Sequence, residues 1–305
     1  MDKMLTLAIP TNGIIEWVVP VLNSIYEQSI DEQSFEVIVT DNGNNHDFEK
    51  IMYKYNERYS NFLYRKTDAK LFMNQLEAFK LASGEYIKFV NHRSMLKEGT
   101  LRYLIEYVKK NKEEKPVTYF LNGLYPIKTP AYEYSKFDTY VYELSYYSSW
   151  SGGVGCWKKD LNDVLYQMEK NQTESLYPHI GFVYYYDEER NYYIDNVKLF
   201  EELPTEETKK GKYDLFYAFG VEYIGLVKKL LLEKKITMST YEHVKKENEE
   251  FIVMLYLEYV IIKRKCSYDL STARNSLDQV YSYKKIKKMA WEKLFNRIIN
   301  RIKKI

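Results

Sequence analysis

The sequence has little cysteine and no long apolar run. Its two cysteines, Cys156 and Cys266, lie far apart among 305 residues. They form no Cys-x-x-Cys or Cys/His pattern, which argues against a zinc site and a disulfide framework and favours a reducing compartment. The most apolar stretch, residues 251–262, contains Glu258 and is too short for a bilayer, which takes about 20 residues. The start of the chain lacks the order of a signal peptide. These absences predict a cytoplasmic protein.

The sequence also has little net charge. It carries 45 Lys and Arg against 43 Asp and Glu, a formal net charge of +2. No overall field therefore points to a nucleic-acid partner, and no basic-aromatic RNA motif is present.

What the first hundred residues do contain is an alternation of short apolar runs and helical patterns. Strands are predicted at 5–9, 35–40, 62–64 and 86–90, and helices at 16–28, 47–59 and 70–81. Gly84 is predicted to follow the last of these helices as its C-cap glycine. Strands separated by helices of about 10 to 15 residues predict an α/β fold with a parallel, doubly wound sheet.

The pattern changes after about residue 117. Strands are predicted at 117–121, 139–144 and 192–197, and helices at 159–169 and 174–186. A polar stretch follows Pro204, and the rest of the chain is predicted to be helical. We therefore expect two regions, an α/β domain at 1–204 and a helical C-terminal region at 205–305.

Polar residues follow three of the predicted strands, at Pro10–Gly13, Asp41–Gly43 and Asn91–Ser94. In doubly wound sheets, ligands bind beyond the carboxyl ends of the strands. We therefore expect the ligand site where these three turns meet.

Four segments resemble the family 2 glycosyltransferases of the GT-A fold: Leu7–Asn12, Asn23–Gln28, Phe35–Gly43 and Ala82–Val90. They stand in family order at family spacing and cover about residues 3 to 100. The resemblance implies a Rossmann-like mixed sheet that binds a nucleotide sugar in region 1–204. It also implies an inverting enzyme that transfers a sugar, from a UDP-linked donor, to a saccharide acceptor in bacterial surface polysaccharide or glycoconjugate synthesis.

The donor nucleotide is expected at the first two turns. Asp41 can accept hydrogen bonds from a uracil ring nitrogen and a ribose hydroxyl. The resemblance places Pro10, Thr11, Asn12 and Asn42 beside the same base and ribose. The alternative is that Asp41–Gly43 is an ordinary turn, since Asp and Asn favour turns whatever the function.

The metal-binding aspartates of the family fall on Asn91–Ser94, which contains no carboxylate. Mg²⁺ and Mn²⁺ prefer charged oxygen ligands, so we predict no metal ligands here, although either ion stays open as a cofactor. A guanidinium can stabilise a departing diphosphate instead. We therefore predict metal-independent transfer with Arg93 as a catalytic residue and His92 at the donor. The alternative is an inactive module that keeps the fold for binding or for stabilising a partner.

Inverting members of the family use a carboxylate at the start of a later helix as the catalytic base. His179 falls at that position, and a neutral imidazole is a competent base near pH 7. Pro178 is predicted to start a new helical turn and to leave His179 at an exposed helix N-terminus. Glu174 and Asp187 are competing candidates, and a helix-face histidine without a role is the alternative.

Trp150–Gly155 is the third candidate segment. Trp150 can stack on a sugar ring, and Gly152 and Gly153 would let the backbone approach the bound sugar or acceptor. The alternative is a glycine-rich turn around a core tryptophan.

The C-terminal end is basic, with nine Lys or Arg and one Glu in 284–305. Apolar residues recur there at intervals of three and four, as on one face of a helix with a basic flank. One interpretation is a peripheral contact with the inner face of a membrane, which would suit a lipid-linked acceptor. The other is a helix docked on the domain or on a second subunit in a homo-oligomer.

Overall fold

The computed structural model describes residues 3–125, 131–170, 175–204 and 206–302. Within these ranges the strands are β1 (Leu5–Thr11), β2 (Phe35–Asp41), β3 (Phe62–Lys66), β4 (Tyr86–Phe89), β5 (Ser94–Leu96), β6 (Val117–Phe120), β7 (Ala131–Tyr134), β8 (Gly155–Trp157), β9 (Tyr192–Asp195) and β10 (Phe200–Glu202). The α-helices are α1 (Ile15–Tyr26), α2 (His46–Arg58), α3 (Asn74–Leu81), α4 (Thr100–Asn111), α5 (Phe137–Leu144), α6 (Lys158–Lys170), α7 (Ile180–Val183), α8 (Tyr223–Leu232), α9 (Met238–Tyr256), α10 (Ala273–Leu277) and α11 (Tyr283–Ile302).

The main sheet has the order β3-β2-β1-β4-β8. Its first four strands run parallel, and β8 joins β4 in the antiparallel direction. Strands β1 and β2 are buried along almost their whole length, because helices cover both faces of such a sheet. The predicted α/β class and parallel sheet are confirmed.

Two smaller sheets extend this architecture. In one, β9 pairs in parallel with β6 and antiparallel with β7. In the other, β5, which follows the turn after β4, pairs antiparallel with β10. The β5–β10 pair matters for the site because it fixes the chain that leaves the turn at residues 91–94.

The chain forms two compact units. One comprises Met1–Tyr140 and Trp150–Leu203, and the other Val141–Ser149 and Pro204–Ile305. The first has a core that joins the main sheet to α1 and α4. The second has its own core of helix residues, centred on Phe216, Ile252, Leu257 and Ile286. The second unit also takes residues 141–149, and the expected regions 1–204 and 205–305 stay a prediction.

The strand predicted at 139–144 is wrong, since this segment lies in α5. Phe137, Tyr140, Val141 and Leu144 are all buried. Their spacing of three, one and three residues is the period of a helix. The β-prone tyrosine and valine side chains had concealed that period.

Two other predictions about helix ends are wrong. The described part of the helix predicted at 174–186 is only α7, of four residues. Gly84 does not cap α3, because the positive-φ glycines of the described chain are Gly13, Gly99 and Gly123. Gly84 is instead required by close packing, since a Cβ there would lie 2.8 Å from backbone atoms of β1.

Candidate functional site

The turns after β1 and β2 pack directly against one another. The amide of Asn42 donates to the carbonyl of Thr11 at 3.1 Å, and the side chain of Asn45 donates to the carbonyl of Gly13 at 3.0 Å. A Cβ on Gly43 would overlap the carbonyl of Asn12. The predicted nucleotide-binding residues of the two turns are therefore brought together.

Pro10 and Asn42 complete this group. Pro10 is half-buried and lies opposite Thr40 in the β1–β2 register. The side-chain amide of Asn42 donates to the carbonyls of Ala69 and Leu71 at 2.8 and 3.1 Å. The side chain of Asn42 therefore holds the segment after β3 close to the turn.

The carboxylate of Asp41 is fully buried at the end of β2, with 0% of its side chain exposed. Its Oδ1 accepts from the Gly43 amide at 2.7 Å, and its Oδ2 accepts from the Tyr64 hydroxyl at 3.0 Å. Burial, with Asp41 adding to the effect, raises the pKa of Tyr64, so Tyr64 stays a hydroxyl donor. A ligand reaches Asp41 only when one of its partners moves.

Lys66 is the more exposed of the two side chains that contact Asp41. Its ammonium lies 3.3 Å from Oδ2 of Asp41, and 38% of its side chain is exposed. It also donates to Glu49 at 2.9 Å and to the carbonyl of Gly43. Burial acts to lower the pKa of Lys66, but the bonds to Glu49 and Asp41 outweigh it and raise that pKa. Lys66 thus covers Asp41 as a cation, a role that the sequence analysis missed.

His92 is a neutral imidazole in this site. Its Nδ1 lies 2.9 Å from the hydroxyl of Thr11, which also accepts from the amide of Gly13 at 3.1 Å. Trp17 packs edge-on against the His92 ring at 5.0 Å between centroids. Burial, together with the charge of Arg93, lowers the pKa of His92 to about 3. Since the Thr11 hydroxyl can donate to Nδ1, the proton of the neutral ring is free to reside on Nε2.

Arg93 is held in an ion pair across the β5–β10 strands. Its Nε donates to Glu202 at 3.3 Å, and 24% of its side chain is exposed. The hydroxyl of Ser94 donates to the same carboxylate, and the amide of Leu203 donates to the carbonyl of Arg93 at 2.8 Å. Glu202 thus brings a carboxylate to a turn whose own sequence has none.

The turn at residues 91–94 does not fit Mg²⁺ or Mn²⁺. It offers one amide, a neutral imidazole and a guanidinium, whereas these ions prefer charged oxygen ligands. The nearby Glu202 carboxylate is taken up by Arg93 and Ser94. Across the ranges that the structure describes, no three His, Cys, Asp or Glu side chains are grouped so as to hold a metal ion.

Lys88 is a buried basic residue near the carboxyl end of β4, with 0% of the residue exposed. Its ammonium donates to the carbonyls of Phe89, Gly152 and Val154 at 2.9, 2.7 and 3.1 Å. Burial lowers its pKa to about 7, and the charge of Asp195 opposes that shift. A lysine inside the apolar run Tyr86–Val90 is a sequence signal that pattern analysis passed over.

The Trp150–Gly155 segment packs on this part of the sheet. The Tyr119 hydroxyl donates to the carbonyl of Trp150 at 2.6 Å. A Cβ on Gly153 would overlap the Tyr119 ring, whereas a Cβ on Gly152 would meet nothing within 4 Å. Packing against Tyr119 therefore requires a glycine at position 153. At position 152 a Cβ would lie in open space.

His179 is 4% exposed and lies at the N-cap of α7. The expectation that it occupies an exposed helix N-terminus is wrong, because α7 packs on α6, β6 and β8. Of its competitors, Asp187 accepts from the amide of Glu189 at 3.0 Å in the turn before β9. Glu174 lies outside the described residues.

The comparisons with known proteins agree with this architecture. The family model for glycosyl transferase family 2 matches residues 6–149. Among solved structures, residues 1–349 of S. aureus TarS match with 14% identity and a TM-score of 0.56, over 86% of this chain and 76% of that one. The same TarS segment in complex with UDP has 16% identity and a TM-score of 0.57, over the same shares. Its complex with UDP-GlcNAc has 14% identity and a TM-score of 0.52, over 86% and 74%. No curated protein matches the chain.

The fold is thus that of the GT-A glycosyltransferases, as the sequence resemblance implied. Residues 6–149 match the family model of glycosyl transferase family 2, which is somewhat less than half of the chain. The match indicates a glycosyltransferase.

The packing of Gly153 yields a test. Gly153→Ala should lower the free energy of unfolding by about 1–3 kcal/mol, the usual cost of forcing an extra methyl into a packed core. Gly152→Ala is the matched control and should change it by less than about 0.5 kcal/mol. Urea unfolding of the two variants measures this difference. Equal stability of the two would show that packing does not require a glycine at 153.

Lys88 gives a stability that depends on pH. Its pKa is about 7 in the native protein and 10.5 ordinarily. Between these values the unfolded chain binds more protons, so the contribution of Lys88 to the free energy of unfolding rises with pH. We would measure urea unfolding at pH 7, 8 and 9 (chosen values inside this window). The free energy of unfolding of wild type should rise relative to that of Lys88→Met by up to about 1.4 kcal/mol per pH unit. Parallel curves for the two proteins would contradict the lowered pKa.

Proposed function

We propose that this glycosyltransferase takes its sugar from a UDP-linked donor and transfers it, with inversion and without a metal ion, to a saccharide acceptor. The observation that carries the metal-independent part is the turn at residues 91–94, where a guanidinium and a neutral imidazole replace carboxylates. The TarS complexes with UDP and UDP-GlcNAc support the choice of uridine nucleotide. An acceptor of bacterial surface glycan synthesis, at the inner face of the membrane, follows from the sequence resemblance.

The nucleoside binds at the turns after β1 and β2. Asp41 accepts from the base once Lys66 has moved aside, since Gly43 is fixed by the backbone and Tyr64 is 6% exposed. Thr11, Asn12, Pro10 and Asn42 line the same place. The ammonium of Lys66 keeps its partner Glu49 when it leaves Asp41, so the released charge stays paired.

Arg93 stabilises the diphosphate that leaves the donor. Its ion pair with Glu202 uses Nε, and a guanidinium has four further N–H donors for phosphate oxygens. The ion pair with Glu202 fixes the orientation of the Arg93 guanidinium. His92, neutral and bonded to Thr11, contributes an Nε2 hydrogen-bond donor without adding charge.

His179 stays our prediction for the catalytic base, and Trp150 with Gly152 and Gly153 for the contact with the sugar or the acceptor. Because His179 is 4% exposed, its imidazole meets an acceptor hydroxyl only if the segment around it opens when the acceptor binds. That requirement distinguishes His179 from Arg93, which already has exposed surface.

Arg93→Met tests the diphosphate assignment. Removing one preorganised charge donor should lower kcat for donor hydrolysis by about 10²–10³-fold, while Kd for uridine stays within about twofold. Arg102→Met, an exposed arginine on α4, is the control and should leave both constants unchanged. Full activity of Arg93→Met would remove Arg93 from the mechanism.

Lys66→Met tests how Asp41 is reached. The variant lacks the cation that competes with the base for Oδ2, so uridine should bind about three- to tenfold more tightly, the equivalent of one hydrogen bond of about 1 kcal/mol. Lys50→Met, which removes an exposed pair with Asp47, should leave binding unchanged. Calorimetry with uridine measures both. Weaker or unchanged binding to Lys66→Met would contradict the proposed access route.

A further inference from the structure

The C-terminal helix α11 is docked by one face on its own unit. Ile286 and Ala290 are 0% exposed. Lys285 pairs with Glu249 at 2.6 Å, Lys293 with Glu250 at 2.8 Å, and Arg297 with Glu258 at 2.7 Å. This face is therefore packed within the C-terminal unit, and the interpretations from the sequence stay predictions for the other face.

The opposite face of α11 exposes large apolar side chains. Trp291 is 42% exposed, Phe295 60%, Ile298 46% and Ile299 45%. Their spacing of four, three and one places them on one side of the helix. We call these four residues the apolar stripe. A run of large apolar side chains of this kind marks an interaction surface rather than ordinary solvent-facing helix.

The charges beside the apolar stripe are positive. Lys284, Lys287 and Lys288 are exposed, and helical geometry places them on the same side as the stripe, in the preceding turns. Glu292 is the one acidic residue of 284–305, and it lies 3.8 Å from Lys288. The surface therefore combines an apolar centre with a cationic end.

A second copy of the chain fits this surface poorly. The helix is basic before the stripe, where Lys284, Lys287 and Lys288 are exposed. Two copies paired through the stripe in parallel would bring these lysines against one another, which is destabilising.

An anionic lipid surface fits it well. Acidic headgroups attract exposed lysines, and tryptophan with aliphatic side chains enters the boundary between headgroups and acyl chains. No helix in the described ranges is long and apolar enough to span a bilayer, so such a contact would lie in the plane of the surface.

We propose that the outer face of α11 binds an anionic lipid surface, with the apolar stripe inserted and Lys284, Lys287 and Lys288 on the headgroups. This function is separate from sugar transfer and does not rest on the donor assignment. It would hold the enzyme at the surface where lipid-linked acceptors are found.

Vesicle sedimentation tests the proposal with the full chain. Wild type should bind vesicles of mixed phosphatidylglycerol and phosphatidylcholine, and added salt should weaken that binding. Phe295→Ser with Ile299→Ser, and separately Lys287→Glu with Lys288→Glu, should each reduce binding by about tenfold or more. Unchanged melting temperatures would confirm that both variants fold.

Two controls match these variants. Leu232→Ser removes a side chain that is 72% exposed on α8, and Lys109→Glu with Lys110→Glu reverses two exposed lysines on α4. Both should bind vesicles as wild type does. Wild type that fails to bind the anionic vesicles, or binds pure phosphatidylcholine equally well, would overturn the proposal. A dimer in light scattering that Phe295→Ser with Ile299→Ser dissociates, without vesicle binding by wild type, would assign the stripe to self-association instead.

Discussion

Positive charge at the carboxyl end of β4 is the constraint on which the proposed donor site depends. The Lys88 amino group, whose pKa burial lowers to about 7, contacts three carbonyls there, and Arg93 follows in the next turn. His92 precedes Arg93 in that turn and is neutral because burial and the Arg93 charge both oppose its protonation. A divalent cation would add charge next to the Arg93 guanidinium. The site therefore has the electrostatic sign that a diphosphate requires, supplied by side chains.

The two basic side chains, Lys88 and Arg93, are kept in place by different means. Burial and backbone carbonyls hold Lys88, so it ties β4 to the segment 152–154 and has no exposed surface for a ligand. Arg93 is held by Glu202 and retains exposed surface. Of the two, Arg93 has both a fixed orientation and access to a ligand. Lys88 therefore supports the structure of the site, whereas Arg93 can contact a ligand.

Much of the fold could be predicted from the sequence because local pattern and global structure agree in its first hundred residues. The apolar runs of β1 and β2 are buried strands, and the period of α1 matches its buried face. Agreement fails at α5, where aromatic and β-branched residues favour a strand locally but their helical spacing decides the burial. The main sheet also gains β8, whose three residues are too few to show a period.

The residues at the strand ends were predictable, but their partners were not. Lys66 and Glu202 act on Asp41 and Arg93 across 25 and 109 residues of sequence, and no local pattern reports such a pairing. The burial of His179 was missed for a similar reason, since it depends on how α7 packs on β6 and β8.

The most direct test of this account is the metal dependence of donor hydrolysis by wild type. UDP-sugar turnover should be the same in excess EDTA and in added Mn²⁺ if, as we propose, the charge that stabilises the leaving diphosphate comes from Arg93. Turnover that is lost in EDTA and restored by Mn²⁺ would contradict the account and would mean that a metal ion binds beside the Asn91–Ser94 turn.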